Sequence, residues 1–136
     1  MVKIIPLTQE QLTNAISLLE KIFSYKPDQK LFKYSLTDSL KKKAYGQIYW
    51  IAAEETNSVI GITGLYDDAT DKKASWLGWF GVHSDYRQCG ICSILLQFAI
   101  DKAKQKGSAK LKLYTSSDPN ERAAHNLYRK FGFKQT

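Results

Sequence analysis

Apolar positions in the first third of the chain recur at helical spacing. Leu12, Ala15, Ile16, Leu19, Ile22 and Phe23 share one face, and Thr8 followed by Gln11 reads as a capping box that opens this helix. "YKPDQ" interrupts the pattern, after which Phe32, Leu36 and Leu40 keep step in a second amphipathic segment running towards Gly46. Ahead of both, "VKIIPL" reads as a short strand. Two β-rich runs, "QIYWIAAEE" and "SVIGITGLY", flank a polar turn and predict an antiparallel hairpin. The polar stretch "DDATDKK" leads into "ASWLGWFGV", a further strand in which Gly78 and Gly81 predict a bulge or the close approach of another backbone. A helix from about Gly90 to Lys106, with Ile91, Ile94, Leu95 and Phe98 inward, stops at Gly107. "AKLKLYT" alternates as a strand and "SSDPN" turns. A last helix then places Ala124, Leu127, Tyr128 and Phe131 on one stripe, and "GFKQT" reads as a strand barely begun.

The order β-α-α-β-β-β-α-β-α-β contains neither an internal repeat nor a long linker, so residues 1–136 are expected to form a single domain with an α+β mixed sheet. That length suffices for a core without disulfide staples. The first residues, "MVKIIPLTQEQ", lack the apolar stretch and cleavage site of a secretory signal, no apolar run has the span of a bilayer, and two cysteines make no disulfide framework. A cytoplasmic location without membrane contact is therefore expected. Twenty Lys and Arg against thirteen Asp and Glu leave a net charge of +7, which suits phosphate-bearing cofactors and polyanions alike. The densest basic run, Lys41 to Lys43, falls at a helix end where cations favour the dipole, and no aromatics interleave with it, so nucleic acid is not the expected partner.

The chemistry concentrates in "HSDYRQCGICSILLQFAI", where a strand gives way to a helix. A helix starting at "GICS" offers backbone N–H groups without intrahelical partners at the positive end of its dipole. Gly90 removes a Cβ where an anion would approach, Cys92 and Ser93 are small, and Arg87 can add a charge-assisted bond. The same cysteines, Cys89 and Cys92, also form a C-x-x-C pair between strand and helix, the local setting of a thiol-disulfide redox site. That fold would need a proline loop facing the cysteines, and the only later proline is Pro119.

"VHSDYRQCGICSILL" resembles the acetyl-coenzyme A signature of the GNAT N-acetyltransferase superfamily, with Arg87, Gly90 and Cys92 on its defining positions. Cys92 stands where that signature has Gly or Ala, and Gln88 where a glycine is common. "AAHNLYRKFGF" resembles the closing motif of the same superfamily through Tyr128, Phe131, Gly132 and Phe133. The resemblance implies a GNAT-like fold: a central, mostly antiparallel sheet flanked by about four helices, with the family's final strand missing after "GFKQT". A homodimer that completes the sheet is one expected consequence.

The resemblance further implies acetyl-CoA as cofactor. Its pantetheine would lie along Phe80, Gly81 and Val82, and its pyrophosphate on Arg87, Gln88, Cys89, Gly90, Ile91, Cys92 and Ser93. Tyr128 corresponds to a tyrosine that protonates the departing thiolate, although its place on an apolar stripe also suits a core residue. The acceptor, a small-molecule or peptide amine, would be shaped by the region from Phe23 to Leu31. A general base is less evident. Glu54, Glu55, Asp67 and Asp68 are the nearest carboxylates in sequence, and deprotonation through water is the preferred route. His83 and His125 read as surface or cap residues, and no metal is implied. The readings against which this stands are a redox protein using Cys89 and Cys92, and a non-catalytic module binding CoA or nucleic acid.

Overall fold

The computed structural model describes residues 2–23, 26–41, 46–56, 58–114 and 122–134, and the side chains of residues 88, 89, 122 and 123 fall outside that description. Strand β1 (Lys3–Pro6) precedes helices α1 (Leu12–Ile22) and α2 (Lys26–Lys41). The hairpin of β2 (Ile48–Ala53) and β3 (Val59–Asp67) follows, then β4 (Ala74–Leu77), β5 (Gly81–Val82), α3 (Ile91–Gln105), β6 (Lys110–Lys112) and α4 (Arg122–Lys130). The sheet runs β1-β2-β3-β4-β6, with β5 also paired to β3. All pairs are antiparallel except β4 with β6. This is the mixed, mostly antiparallel sheet with four helices that the sequence predicts.

Alternation along β2 and β3 decides which helices cover which face. Tyr49, Ile51 and Ile62 point to one side and pack with Leu19 of α1 and with Phe32 and Leu36 of α2. Trp50 and Leu65 point to the other, where Leu96 and Ala99 of α3 meet Leu127 and Tyr128 of α4. The inward face predicted for α1 is buried or half-buried, with Leu18 added to it. In α2 the predicted Phe32 and Leu36 have no exposure at all.

Several local expectations are corrected. Thr8 makes no side-chain bond to a helix amide; its hydroxyl donates to the Gln11 side chain, and a single 3-10 turn over Gln9–Gln11 leads into α1. "YKPDQ" does not separate the helices as a whole, because α2 already begins at Lys26 and Pro27 sits in its first turn, where a missing N–H costs nothing. "GFKQT" does not begin a strand: among the described residues none follows α4, and Gly132 and Phe133 serve as a helix cap instead. The "SSDPN" turn and Lys42 and Lys43 lie outside the described residues. No helix among the described residues is long and apolar enough to cross a membrane.

Candidate functional site

The single strand expected from "ASWLGWFGV" is broken in the middle. Leu77 pairs with Leu65 and Gly81 with Ile62, so the three residues 78–80 face only Thr63 and Gly64 on β3. One extra residue on one strand is a β-bulge, as the glycines suggested. Gly78 N–H still reaches the Gly64 carbonyl at 2.8 Å, but Trp79 N–H goes to the Tyr49 hydroxyl at 3.3 Å instead of to β3. What comes close to both glycines is a side chain and not the expected second backbone: a Cβ at Gly78 would lie 2.7 Å from the Tyr49 hydroxyl, and one at Gly81 2.7 Å from Ile22 Cδ1.

On its other side the strand loses its partner. Pairing of β4 with β6 ends at Trp76↔Lys112, while β5 pairs with β3 alone. The sheet therefore splays open beside residues 77–82. The ladder also decides which backbone groups face the opening. His83 N–H donates to the Ile60 carbonyl at 2.7 Å, which makes Gly61↔Val82 a non-hydrogen-bonded pair and turns Val82's own N–H and C=O away from β3. The Val82 carbonyl is already taken, by Arg87 Nε at 3.0 Å. Its N–H is left facing the splay.

Ser84–Cys89 forms 3-10 turns, and His83 caps them by accepting Asp85 N–H on Nδ1 at 3.1 Å. Gly90 then takes φ +77°, a left-handed conformation, and α3 starts at Ile91 with no side-chain cap. Nothing lies within 4 Å of where a Gly90 Cβ would sit, so the glycine is needed for its backbone angle. The first-turn amides of α3 have no intrahelical acceptor and point out of the helix, where an anion can take them.

Both features open onto one groove of about 730 Å³. Phe80, Gly81, Val82, Arg87, Gly90, Cys92, Ser93 and Tyr128 line it, together with Phe23 and Leu31 from the other side of the sheet. The structure thus brings together eight of the eleven residues singled out from the sequence. Ile91 is the exception among those whose side chains are described: it is buried in a cluster with Ala52, Val82 and Leu95 and offers only its main chain. Gln88 and Cys89 contribute backbone to the 3-10 turns, their side chains lying outside the described residues.

Tyr128 is half-buried, its ring 6.3 Å from Phe80 and 5.9 Å from Phe133. It is at once part of the second apolar cluster and part of the groove wall. Burial pushes the Cys92 thiol up, with Arg87 opposing only in part. That is the reverse of the activation a redox cysteine needs.

None of Glu54, Glu55, Asp67 and Asp68 lines the groove. Asp67 pairs with Lys106. Asp68 accepts from Thr70 N–H at 2.8 Å, Lys112 Nζ at 2.9 Å, the Thr70 hydroxyl at 3.0 Å and Asp71 N–H at 3.0 Å, which keep its carboxyl far below the usual carboxylate range, and also from Trp76 Nε1 at 3.0 Å. A carboxylate so held is a poor proton acceptor at neutral pH.

Tyr49, Tyr66 and Tyr114 also line the groove, and none of them stands out in the sequence. The available signal lay in the glycines: Gly64 and Gly78 are the two positions where a Cβ would strike the Tyr49 ring. Burial raises the hydroxyl pKa of both Tyr49 and Tyr66, so neither is a base near neutrality. The arrangement offers an extended ligand one main-chain donor at Val82 and an anion the start of α3, with Tyr128 in the wall of the same groove.

Residues 12–133 match the model of the Acetyltransferase (GNAT) family. Over 88 residues the chain is 35% identical to the "Probable N-acetyltransferase camello" of Xenopus tropicalis; the match takes in 65% of this chain and 39% of that protein, so the matched segment spans well under half of its relative's length. Among solved structures, a GNAT-family acetyltransferase from Staphylococcus aureus Mu50 superposes with a TM-score of 0.80 at 19% identity, covering 100% of this chain and 86% of that one. The aminoglycoside N-acetyltransferase AAC(6')-Iy, solved in complex with CoA, gives a TM-score of 0.79 at 18% identity, covering 100% and 90%. At such identities the likeness speaks for the fold.

Proposed function

The chain belongs to the Acetyltransferase (GNAT) family, and from that premise we propose that it is an acyltransferase that passes an acetyl group from acetyl-CoA directly to a primary amine of a small molecule or peptide. The observation that carries this reading is the convergence of three features on one groove: the outward Val82 N–H, the uncapped start of α3 after Gly90, and the Tyr128 side chain. The groove fits the cofactor's chemistry, since Arg87 is the only charged residue among its described lining and no carboxylate there would repel phosphates.

Acetyl-CoA supplies an activated thioester and a thiol that leaves. In this reading Phe80 to Val82 form the strand edge that holds the pantetheine extended, and the first-turn amides of α3 with Arg87 hold the diphosphate. Val82 N–H donates to the thioester oxygen as negative charge develops there, a preorganised donor being worth most where charge appears. The acceptor nitrogen attacks as the free amine, its C–N bond forming while the C–S bond breaks. Tyr128 gives its hydroxyl proton to the departing sulfur and is reprotonated from solvent. The proton released by the nitrogen passes to water, since the described lining holds no carboxylate or histidine to receive it.

Thermal denaturation and a thiol-release assay test the assignment. Acetyl-CoA should raise the melting temperature in a concentration-dependent way, and more strongly than propionyl-CoA or malonyl-CoA. Free thiol should appear only when an amine is added. Absence of any stabilisation by CoA thioesters would remove the enzyme reading.

A further inference from the structure

The half of the groove on the α1 and α2 side has a composition that bears on the acceptor. Its walls are Phe23, Leu31, Tyr49, Tyr66, Trp79 and Tyr114, and the remaining polar groups, from Ser35 and Gln47, are neutral. The only charged side chain in the described lining, Arg87, is tied to Val82 at the opposite end. An acceptor with several ammonium groups would have to strip water from each one that does not react, without a carboxylate in the described lining to replace that water.

Part of the ring surface near this half of the groove is already engaged. Phe23 and Phe32 both meet Trp79 in edge-to-face contacts, at 5.3 and 5.6 Å. Trp76 is stacked against Tyr66 on one neighbouring strand and against Tyr114 at 4.8 Å, and the Lys112 ammonium already sits 5.5 Å from its ring centre. Lys112, itself paired with Asp68 at 2.9 Å, and the two stacked tyrosines thus already occupy the Trp76 ring. An apolar or aromatic body entering the same space instead buries its surface against these rings.

Building on the acetyltransferase reading above, we propose that the acceptor is a primary amine carried by an uncharged apolar or aromatic body, as in an arylalkylamine, and not a polyamine or aminoglycoside. Leu31, 56% exposed on α2 at the groove edge, is the position from which charge preference can be changed without disturbing the core.

The test compares kcat/KM by thiol release from acetyl-CoA for 2-phenylethylamine, 1,5-diaminopentane and an aminoglycoside, using the full chain. 2-Phenylethylamine should exceed the other two by roughly tenfold or more, the usual range for apolar discrimination in a pocket. In Leu31→Glu the ratio of phenylethylamine to diaminopentane should shift towards the diamine by about fivefold, as expected of a half-exposed ion pair. Equal or greater use of the polycations by the unaltered protein, or a ratio untouched by Leu31→Glu, overturns the acceptor assignment while leaving acetyl transfer in place. Failure of acetyl-CoA to stabilise the fold, with no thiol released by any amine, overturns the enzyme reading itself.

Discussion

Phe133 N–H donates to the carbonyl of Tyr128 at 3.0 Å, and the two rings lie 5.9 Å apart. With Gly132 N–H bonded to the Arg129 carbonyl at 3.0 Å and Gly132 at φ +91°, this is a Schellman motif in which Tyr128 occupies the third position from the helix end and Phe133 packs back on it. The closing "YRKFGF" thus has a physical reason. It ends α4 and clamps the tyrosine proposed above as the proton donor. Since nothing lies within 4 Å of a Cβ built at Gly132, Gly132→Ala costs only the left-handed backbone angle, about 1–2 kcal/mol. Its melting temperature should fall by a few degrees, and kcat should fall more than the affinity for acetyl-CoA does. Thermal denaturation together with steady-state kinetics separates the two effects.

Tyr128→Phe keeps the ring, the Phe80 and Phe133 contacts and the backbone cap, and removes only the oxygen. Turnover should drop on the order of 100-fold, within the range for loss of one positioned proton donor. KM for acetyl-CoA should hardly change. A rate equal to that of the unaltered protein would leave Tyr128 with a packing role alone.

The hairpin and both amphipathic helices could be read from the sequence because period and turn chemistry are local properties. The broken strand could not. "ASWLGWFGV" alternates well enough for one continuous strand, and only the count of facing residues on β3, two against three, shows the bulge. Gly78 and Gly81 were visible as anomalies, but what they make room for, Tyr49 and Ile22, comes from elements about 30 and 60 residues earlier in the chain. Tyr49 and Tyr66 escaped notice for a related reason: they sit in ordinary strand patterns, and only the splay beyond Trp76 opens the groove that they line. Asp68 stands among the candidate bases by its place in the sequence, and its partners Trp76 and Lys112 are brought to it only by the β4 and β6 pairing.

Asp68 joins β3, the following turn, β4 and β6 at the closed end of the sheet. Its folded-state pKa lies below the unfolded value of about 3.9, so its contribution is complete above that value and is lost as pH falls further. Lys112, raised chiefly by its bond to Asp68, contributes fully below its unfolded value of about 10.4 and loses that contribution at higher pH. Denaturant unfolding of the unaltered protein should show stability declining below about pH 4. In Asp68→Asn the plateau should be lower and the acid-side decline shallower. A decline of unchanged slope would place the acid sensitivity in other carboxylates.

Thr63 carries a flaw that can be repaired. It is fully buried on β3 opposite Trp50, and among the described residues its hydroxyl has no hydrogen-bond partner. A buried hydroxyl that gave up water without replacement weakens the fold, and valine offers nearly the same shape with better strand propensity. Thr63→Val should therefore stabilise the protein by about 1 kcal/mol, a shift of a few degrees in melting temperature. Thr63 faces the bulge but does not line the groove, so kcat and KM should stay as they are. Chemical denaturation run beside the activity assay checks both halves. Destabilisation by the valine would mean that the hydroxyl is held by a buried water, and that this water belongs to the structure of the bulge.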